Sequence, residues 1–106
     1  PDQNVATLRY LAESYEAIGR PADAATTLAR AIDQIREREK ESPEREKLLS
    51  SLQTRRVRAL RQTGEYAVAM REVDSLLAGH RASGKKTFPL PLELERCEIL
   101  DAWGLK

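Results

Sequence analysis

The chain has 106 residues, which suits one domain with a modest core and leaves little room for a second. Its 18 Lys and Arg stand against 17 Asp and Glu, so no overall charge would attract DNA or an anionic membrane. A single cysteine excludes an internal disulfide and any cysteine-based zinc site. No apolar run reaches the roughly 20 residues that span a bilayer, and no signal-peptide layout is present. We therefore expect a cytoplasmic protein with no membrane segment.

The first part of the chain predicts two helices. Apolar residues at steps of three and four predict a helix over about 3–18, which Gly19 ends in a left-handed turn. Pro21 suits the first turn of the second helix. The apolar stripe of that helix stops at Ile35, and the following run over 36–41 is charged on every side. We expect this charged end to extend into water and to fray.

Three more helices are predicted further along. Ser42 as an N-cap and Pro43 in the first turn start a third helix, which Gly64 ends. A fourth helix runs over about 65–82, and a fifth over about 92–103 follows a linker that contains glycine and lysine. No segment has the two-residue period of a strand. The sequence therefore predicts an all-α chain of about five helices, with short turns between antiparallel neighbours.

One pattern occurs three times in the helices that end at a glycine. A small residue is followed three positions later by a larger apolar residue and four positions after that by glycine. The copies are Ala12, Tyr15 and Gly19; Val57, Leu60 and Gly64; and Cys97, Leu100 and Gly104. The glycines are about 45 and 40 residues apart, within the range of repeats that stack as helical hairpins.

These residues resemble the tetratricopeptide repeat (TPR) family, in which helix A ends before a glycine and helix B carries small residues where the helices cross. The first copy matches best, through Leu8, Leu11, Ala12, Tyr15, Gly19, Ala24, Leu28 and Ala31. The second copy has Gln53 and Arg56 in place of the first large apolar residues, and the third has Glu93 and Arg96 there. The resemblance implies antiparallel hairpins stacked as a right-handed solenoid.

The implied repeats cover about 3–41 and 43–82, with a partial third over about 90–106. They exceed the usual length of about 34 residues, which resembles the elongated repeats of bacterial regulators and of signalling ATPases with superhelical sensor arms. We expect the chain to be part of a longer array. An unpartnered apolar face on the fifth helix would then either fold back on the fourth helix or favour self-association.

In the TPR family, the concave face of the A helices usually holds the ligand. The matching positions are acidic, basic and acidic on the three A helices. These candidate partner-binding residues are Arg9, Glu13, Glu16, Thr54, Arg58, Arg61, Gln62, Glu98 and Asp101, with Leu94 at an equivalent position.

Two interpretations of these residues stay open. In the first, the charges pair across the helices as a ladder, with each exposed pair contributing ~0–1 kcal/mol. The expected ladder runs from Glu13 and Glu16 to Arg58 and Arg61, and on to Glu98 and Asp101. In the second, Arg9, Arg58 and Arg61 bind an acidic or C-terminal peptide segment, and Glu13 and Glu16 set its polarity. The family's carboxylate clamp requires Lys and Asn where this chain has Arg9 and Glu13, and the Glu argues against chaperone tails as the ligand.

Other residues offer weaker candidates for function. The basic third helix could contact the phosphates of a nucleic acid, but it lacks the neighbouring aromatic residues that single-stranded readers use. His80 suits the last turn of the fourth helix as a cap. We expect Cys97 to be a small buried residue of a helix pair, and Trp103 to cap the core or to pack on a following helix.

The sequence thus predicts a scaffold that binds a protein, a peptide or other domains of its own parent chain. One alternative is a ligand-sensing or autoinhibitory arm of a signalling ATPase or transcription regulator, and another is a nucleic-acid binder that uses the third helix. The chain shows no set of nucleophile, base and orienting residue, no phosphate-binding glycine loop and no metal-ligand spacing. We therefore expect neither enzyme activity nor a cofactor or metal.

Overall fold

The computed structural model describes residues 4–38, 40–84 and 89–104. Five α-helices occur in these ranges: α1 (Val5–Ala17), α2 (Pro21–Arg38), α3 (Pro43–Gln62), α4 (Tyr66–Ala82) and α5 (Leu90–Trp103). The described residues contain no strand, so the all-α prediction is confirmed, and the predicted helix ends move by a turn or less. Parts of the predictions lie outside the described residues: the predicted start of α1 at residue 3, Glu39, the linker residues 85–88 and residues 105–106.

Glycine forms the turn inside each of the first two hairpins. Gly19 has a φ of 77° and Gly64 a φ of 85°, a backbone region that residues with a Cβ rarely adopt. The N–H of Arg20 donates to the carbonyl of Tyr15 at 2.9 Å, and the N–H of Glu65 donates to that of Leu60 at 3.0 Å. This six-to-one bond is the mark of a Schellman motif and satisfies a carbonyl of the last helical turn. The predicted glycine turns are confirmed.

The buried apolar residues form two clusters. The first core cluster joins α1, α2 and the start of α3 through Leu8, Ala12, Leu28, Ala31, Ile32, Ile35, Leu49 and Leu52. The second joins the start of α2 to the later helices through Ala24, Ala25, Val57, Ala59, Leu60, Ala69, Val73, Leu77, Leu92 and Ile99. Each helix contacts the next one along the chain, and α3 also contacts α5. Helix α3 therefore contributes to both clusters.

The side of α5 that faces the protein differs from the prediction. Leu92, Glu95 and Ile99 are its buried residues, whereas Cys97 is exposed. Cys97 lies two positions from both Glu95 and Ile99, which places it on the opposite side of the helix. The prediction that Cys97 is buried is therefore wrong, because α3 and α4 cover only the side of α5 that carries Ile99.

Two further features of the helices bear on the predictions. The last residues of α2, from Arg36 to Arg38, are exposed, so the charged end of this helix does lie in water. Among the described residues, no helix combines the length and the apolar character needed to cross a membrane.

Candidate binding surface

Three arginines at steps of three residues follow one side of α3. The first, Arg55, reaches α1 and binds the carboxylate of Glu16 with two nitrogens: Nη2 lies 2.7 Å from Oε1, and Nε lies 3.2 Å from Oε2. This paired geometry is the strongest form of an arginine–carboxylate contact. Both side chains are partly buried, at 19 % and 29 % exposure. The pair therefore ties α1 to the middle of α3.

The other two arginines on this side bind one buried carboxylate of α5. Glu95 is only 6 % exposed. Its Oε2 accepts from Nε of Arg58 at 2.9 Å, and its Oε1 accepts from Nε of Arg61 at 3.2 Å. A buried carboxylate without partners would be strongly destabilising, so both arginines stabilise the contact between α3 and α5. Nη2 of Arg61 also lies 3.4 Å from the exposed carboxylate of Glu98.

The predicted ladder of charges is thus present in outline but differs in its members. Glu16 pairs with Arg55 and not with Arg58 or Arg61. The main acid on α5 is Glu95, which the sequence analysis did not select. The spacing of Glu95 from Leu92 and Ile99 was the available signal, because three residues at steps of three and four share one side of a helix.

The remaining candidates of the sequence analysis are more scattered. Arg9 and Glu13 are exposed on α1, and Gln62 and Asp101 are exposed at the ends of α3 and α5. Thr54 is buried, and its hydroxyl donates to the carbonyl of Ser50 at 2.9 Å inside α3. The structure therefore gathers the arginines of α3 around carboxylates, Glu16 of α1 among them, and it leaves Arg9 and Glu13 of α1 in water.

A groove of about 770 Å³ lies between α3 and the start of α5, next to these arginines. Its floor includes the apolar side chains of Pro89, Pro91 and Leu92. The cations among its lining residues are Lys47, Arg55 and Arg58. The remaining lining residues are Pro43, Glu46, Ser50, Ser51, Thr54 and His80.

The groove has more cations than acids. Glu46 is the acid among the lining residues of the groove, and its Oε1 already accepts from Nη1 of Arg45 at 2.8 Å. The exposed Lys47 and the half-exposed Arg58 face a mainly apolar floor. Apolar surface with a few cations at its rim suits an extended segment that carries acidic groups.

Ion pairs also join α4 to its neighbours. Arg56 of α3 binds Glu72 at 2.8 Å, and Arg96 of α5 binds Asp74 at 2.9 Å. The hydrogen bond to Asp74 and the charge of that carboxylate raise the pKa of Arg96 above its usual value, so Arg96 stays charged. All four arginines in the second half of α3 are therefore engaged with carboxylates.

Within the part of the chain that the structure describes, no three His, Cys, Asp or Glu residues come together as a metal site would require. His80 lies half-buried in the last turn of α4, the position predicted for it.

Comparison with the models of known protein families gives no match. Comparison with curated proteins and with solved structures gives no significant match either.

Proposed function

We propose that this chain is a TPR-like helical-repeat module that binds a protein partner through an extended, acidic peptide segment. The segment lies in the groove between α3 and the start of α5. The observation that carries the proposal is this groove, with its apolar floor and with Lys47, Arg55 and Arg58 beside it.

The packing of the helices supports the repeat assignment. Consecutive helices contact one another, and the first helices of two successive hairpins, α3 and α5, also touch. The turns at Gly19 and Gly64 have the same hydrogen bonds and the same left-handed backbone. A solenoid of hairpins produces this pattern of contacts, and such solenoids use extended surfaces for binding.

The charges on α3 support an acidic ligand. Arg58 binds Glu95 through its Nε, but its side chain is 49 % exposed and can also contact a ligand. The exposed Lys47 lies about three turns earlier on the same helix. An acidic segment along the groove would meet both cations while its apolar side chains cover Pro91 and Leu92. A nucleic acid is less favoured, because no Phe, Tyr or Trp is among the described residues that line the groove, and single-stranded readers stack bases on such rings.

Fluorescence polarisation with two labelled peptides tests the proposal. One peptide alternates Glu with Leu, and the other alternates Lys with Leu. We expect saturable binding of the acidic peptide, and we expect Lys47→Glu to weaken it about tenfold through the loss of an attraction and the gain of a repulsion.

Arg71→Glu is the matched control, because Arg71 is exposed on α4 and does not line the groove. It makes the same change in net charge. Equal weakening by the two variants would mean that the acidic peptide responds to overall charge only. Equal affinity for the acidic and the basic peptide would contradict the proposal outright.

A further inference from the structure

The open end of the α3–α4 hairpin contains a second cavity. Small residues line the space between the start of α3 and the end of α4, namely Ser50, Ser75, Gly79 and Ser83. Side chains of this size do not fill the space between two helices. A cleft of about 400 Å³ results, which we call the α3–α4 cleft.

Hydrogen-bond donors outnumber acids around this cleft. Arg36 of α2, Arg45 of α3 and His80 of α4 all line it. Glu46 is the carboxylate among the lining residues, and it already accepts from Nη1 of Arg45. The hydroxyls of Ser50 and of Ser75 on α4 add further donors, whereas the hydroxyl of Ser83 already donates to the carbonyl of His80 at 2.7 Å.

The side chain of Arg45 is short of acceptors. It is only 13 % exposed, and its buried Nε has no hydrogen-bond partner among the described residues. A buried donor without an acceptor is unfavourable, and more so when it belongs to a charged group. An oxyanion in the cleft would allow the guanidinium to turn and to use more of its five N–H groups.

We propose that the α3–α4 cleft binds a small molecule that carries a phosphate group. Guanidinium groups and hydroxyls are the donors that phosphate oxygens accept from, and Arg36 and Arg45 approach the cleft from two different helices. The volume of the cleft lies within the range of small-molecule pockets and leaves room for an organic part beside the phosphate.

This proposal does not depend on the peptide groove. The cleft adjoins the groove, and both are lined by Ser50 and His80. The cations differ, however: of these two cavities, Arg36 and Arg45 line the cleft and not the groove, whereas Lys47 and Arg58 line the groove and not the cleft. Substitutions at these residues therefore separate the two sites.

The test titrates the whole chain, labelled with ¹⁵N, with ribose 5-phosphate and with inorganic phosphate. Sodium acetate at equal ionic strength is the reference for a general anion effect. We expect saturable shifts of the amides of Ser75, Gly79 and their neighbours with ribose 5-phosphate, and weaker binding of phosphate alone. Arg36→Gln and Arg45→Gln should each weaken the binding about tenfold, the loss expected for one charge-assisted contact.

Two controls make the outcome decisive. Arg71→Gln removes an exposed cation of α4 that does not line the cleft and should leave the affinity unchanged. Arg36 is exposed, so Arg36→Gln will fold and decides the test even where Arg45→Gln does not fold. Absence of saturable shifts, equal shifts with acetate, or full affinity in Arg36→Gln would overturn the proposal.

Discussion

Replacement of Glu95 tests the account of how α5 is held on the rest of the protein. Glu95→Gln keeps the size of the side chain but removes its charge. The amide oxygen can accept from one arginine, whereas the amide NH2 group cannot accept from the other, so one of the two charge-assisted hydrogen bonds is lost. Such bonds contribute about 1.5–3 kcal/mol each in buried settings. Arg58 is half-exposed and Arg61 keeps Glu98, so we expect a total loss near the value of one bond, about 1.5–3 kcal/mol.

The loss should be visible in thermal and urea unfolding followed by circular dichroism at 222 nm. For a domain of this size, 1 kcal/mol corresponds to about 4–5 °C, so the Tm should fall by roughly 6–15 °C. Glu98→Gln is the matched control on the same helix. The carboxylate of Glu98 is 60 % exposed and lies 3.4 Å from its partner, so its loss should cost at most about 0.5 kcal/mol. Equal small losses in the two variants would refute the reasoning about Glu95.

A charge reversal of both arginines should have a larger effect. Arg58→Glu combined with Arg61→Glu would leave the buried Glu95 beside two further carboxylates. An uncompensated buried charge costs about 3–5 kcal/mol before the repulsion is added. We expect the double variant to lose cooperative unfolding. A Tm close to that of the unsubstituted chain would show that Glu95 is not buried against these arginines.

The remaining predictions concern turns, packing and the exposed side of α5. At both Gly64 and Gly79 an added Cβ meets no atom within 4 Å, but only Gly64 has a left-handed backbone. Gly64→Ala should therefore destabilise the chain by about 1 kcal/mol, whereas Gly79→Ala inside α4 should stabilise it by about 0.5–1 kcal/mol. Changes of the same sign for both variants in urea unfolding would contradict this. Ala24→Leu should cost ~1–3 kcal/mol by overpacking a fully buried position, and Glu37→Leu on the exposed end of α2 should be nearly neutral, so equal effects would contradict the predicted register. Leu94 of α5 is 53 % exposed and could contact a second copy of the chain. If α5 drives self-association, sedimentation should show a concentration-dependent oligomer that Leu94→Glu abolishes. A monomer at all concentrations would rule this out.

The sequence predicted the helices and their turns because local rules decide them. Gly19 and Gly64 end helices whatever surrounds them, and the Ser42–Pro43 pair starts one, since the Ser42 hydroxyl accepts from the N–H of Arg45 as an N-cap should. These features depend on the backbone of a few adjacent residues. They can therefore be read without knowledge of the packing.

The side of α5 that is buried could not be predicted in the same way. Leu94, Leu100 and Trp103 made several sides of this helix look apolar, and the choice depends on what α3 and α4 offer to it. Arg58 and Arg61 stabilise the buried carboxylate of Glu95, whereas a prediction from apolar residues alone would have placed Glu95 on the exposed side. The prediction that Cys97 is buried was wrong for the same reason.

The partners of the ladder were also beyond the sequence. Glu16 could reach an arginine at several positions of α3, and long side chains leave the choice to the angle between the helices. The groove and the α3–α4 cleft depend on these angles too. Sequence reasoning could name α3 as the basic helix, but it could not say which of its sides holds a cavity.

Mapping the acidic Glu–Leu peptide onto the chain by amide chemical shifts tests the central claim most directly. Peptide binding in the groove should shift the amides of Lys47, Ser51 and Thr54 on α3 and of Leu92 on α5, with a common dissociation constant. The amides on the exposed side of α2, such as that of Arg30, should not move. Saturable shifts confined to α2 and α4, with none along the groove, would contradict the claim.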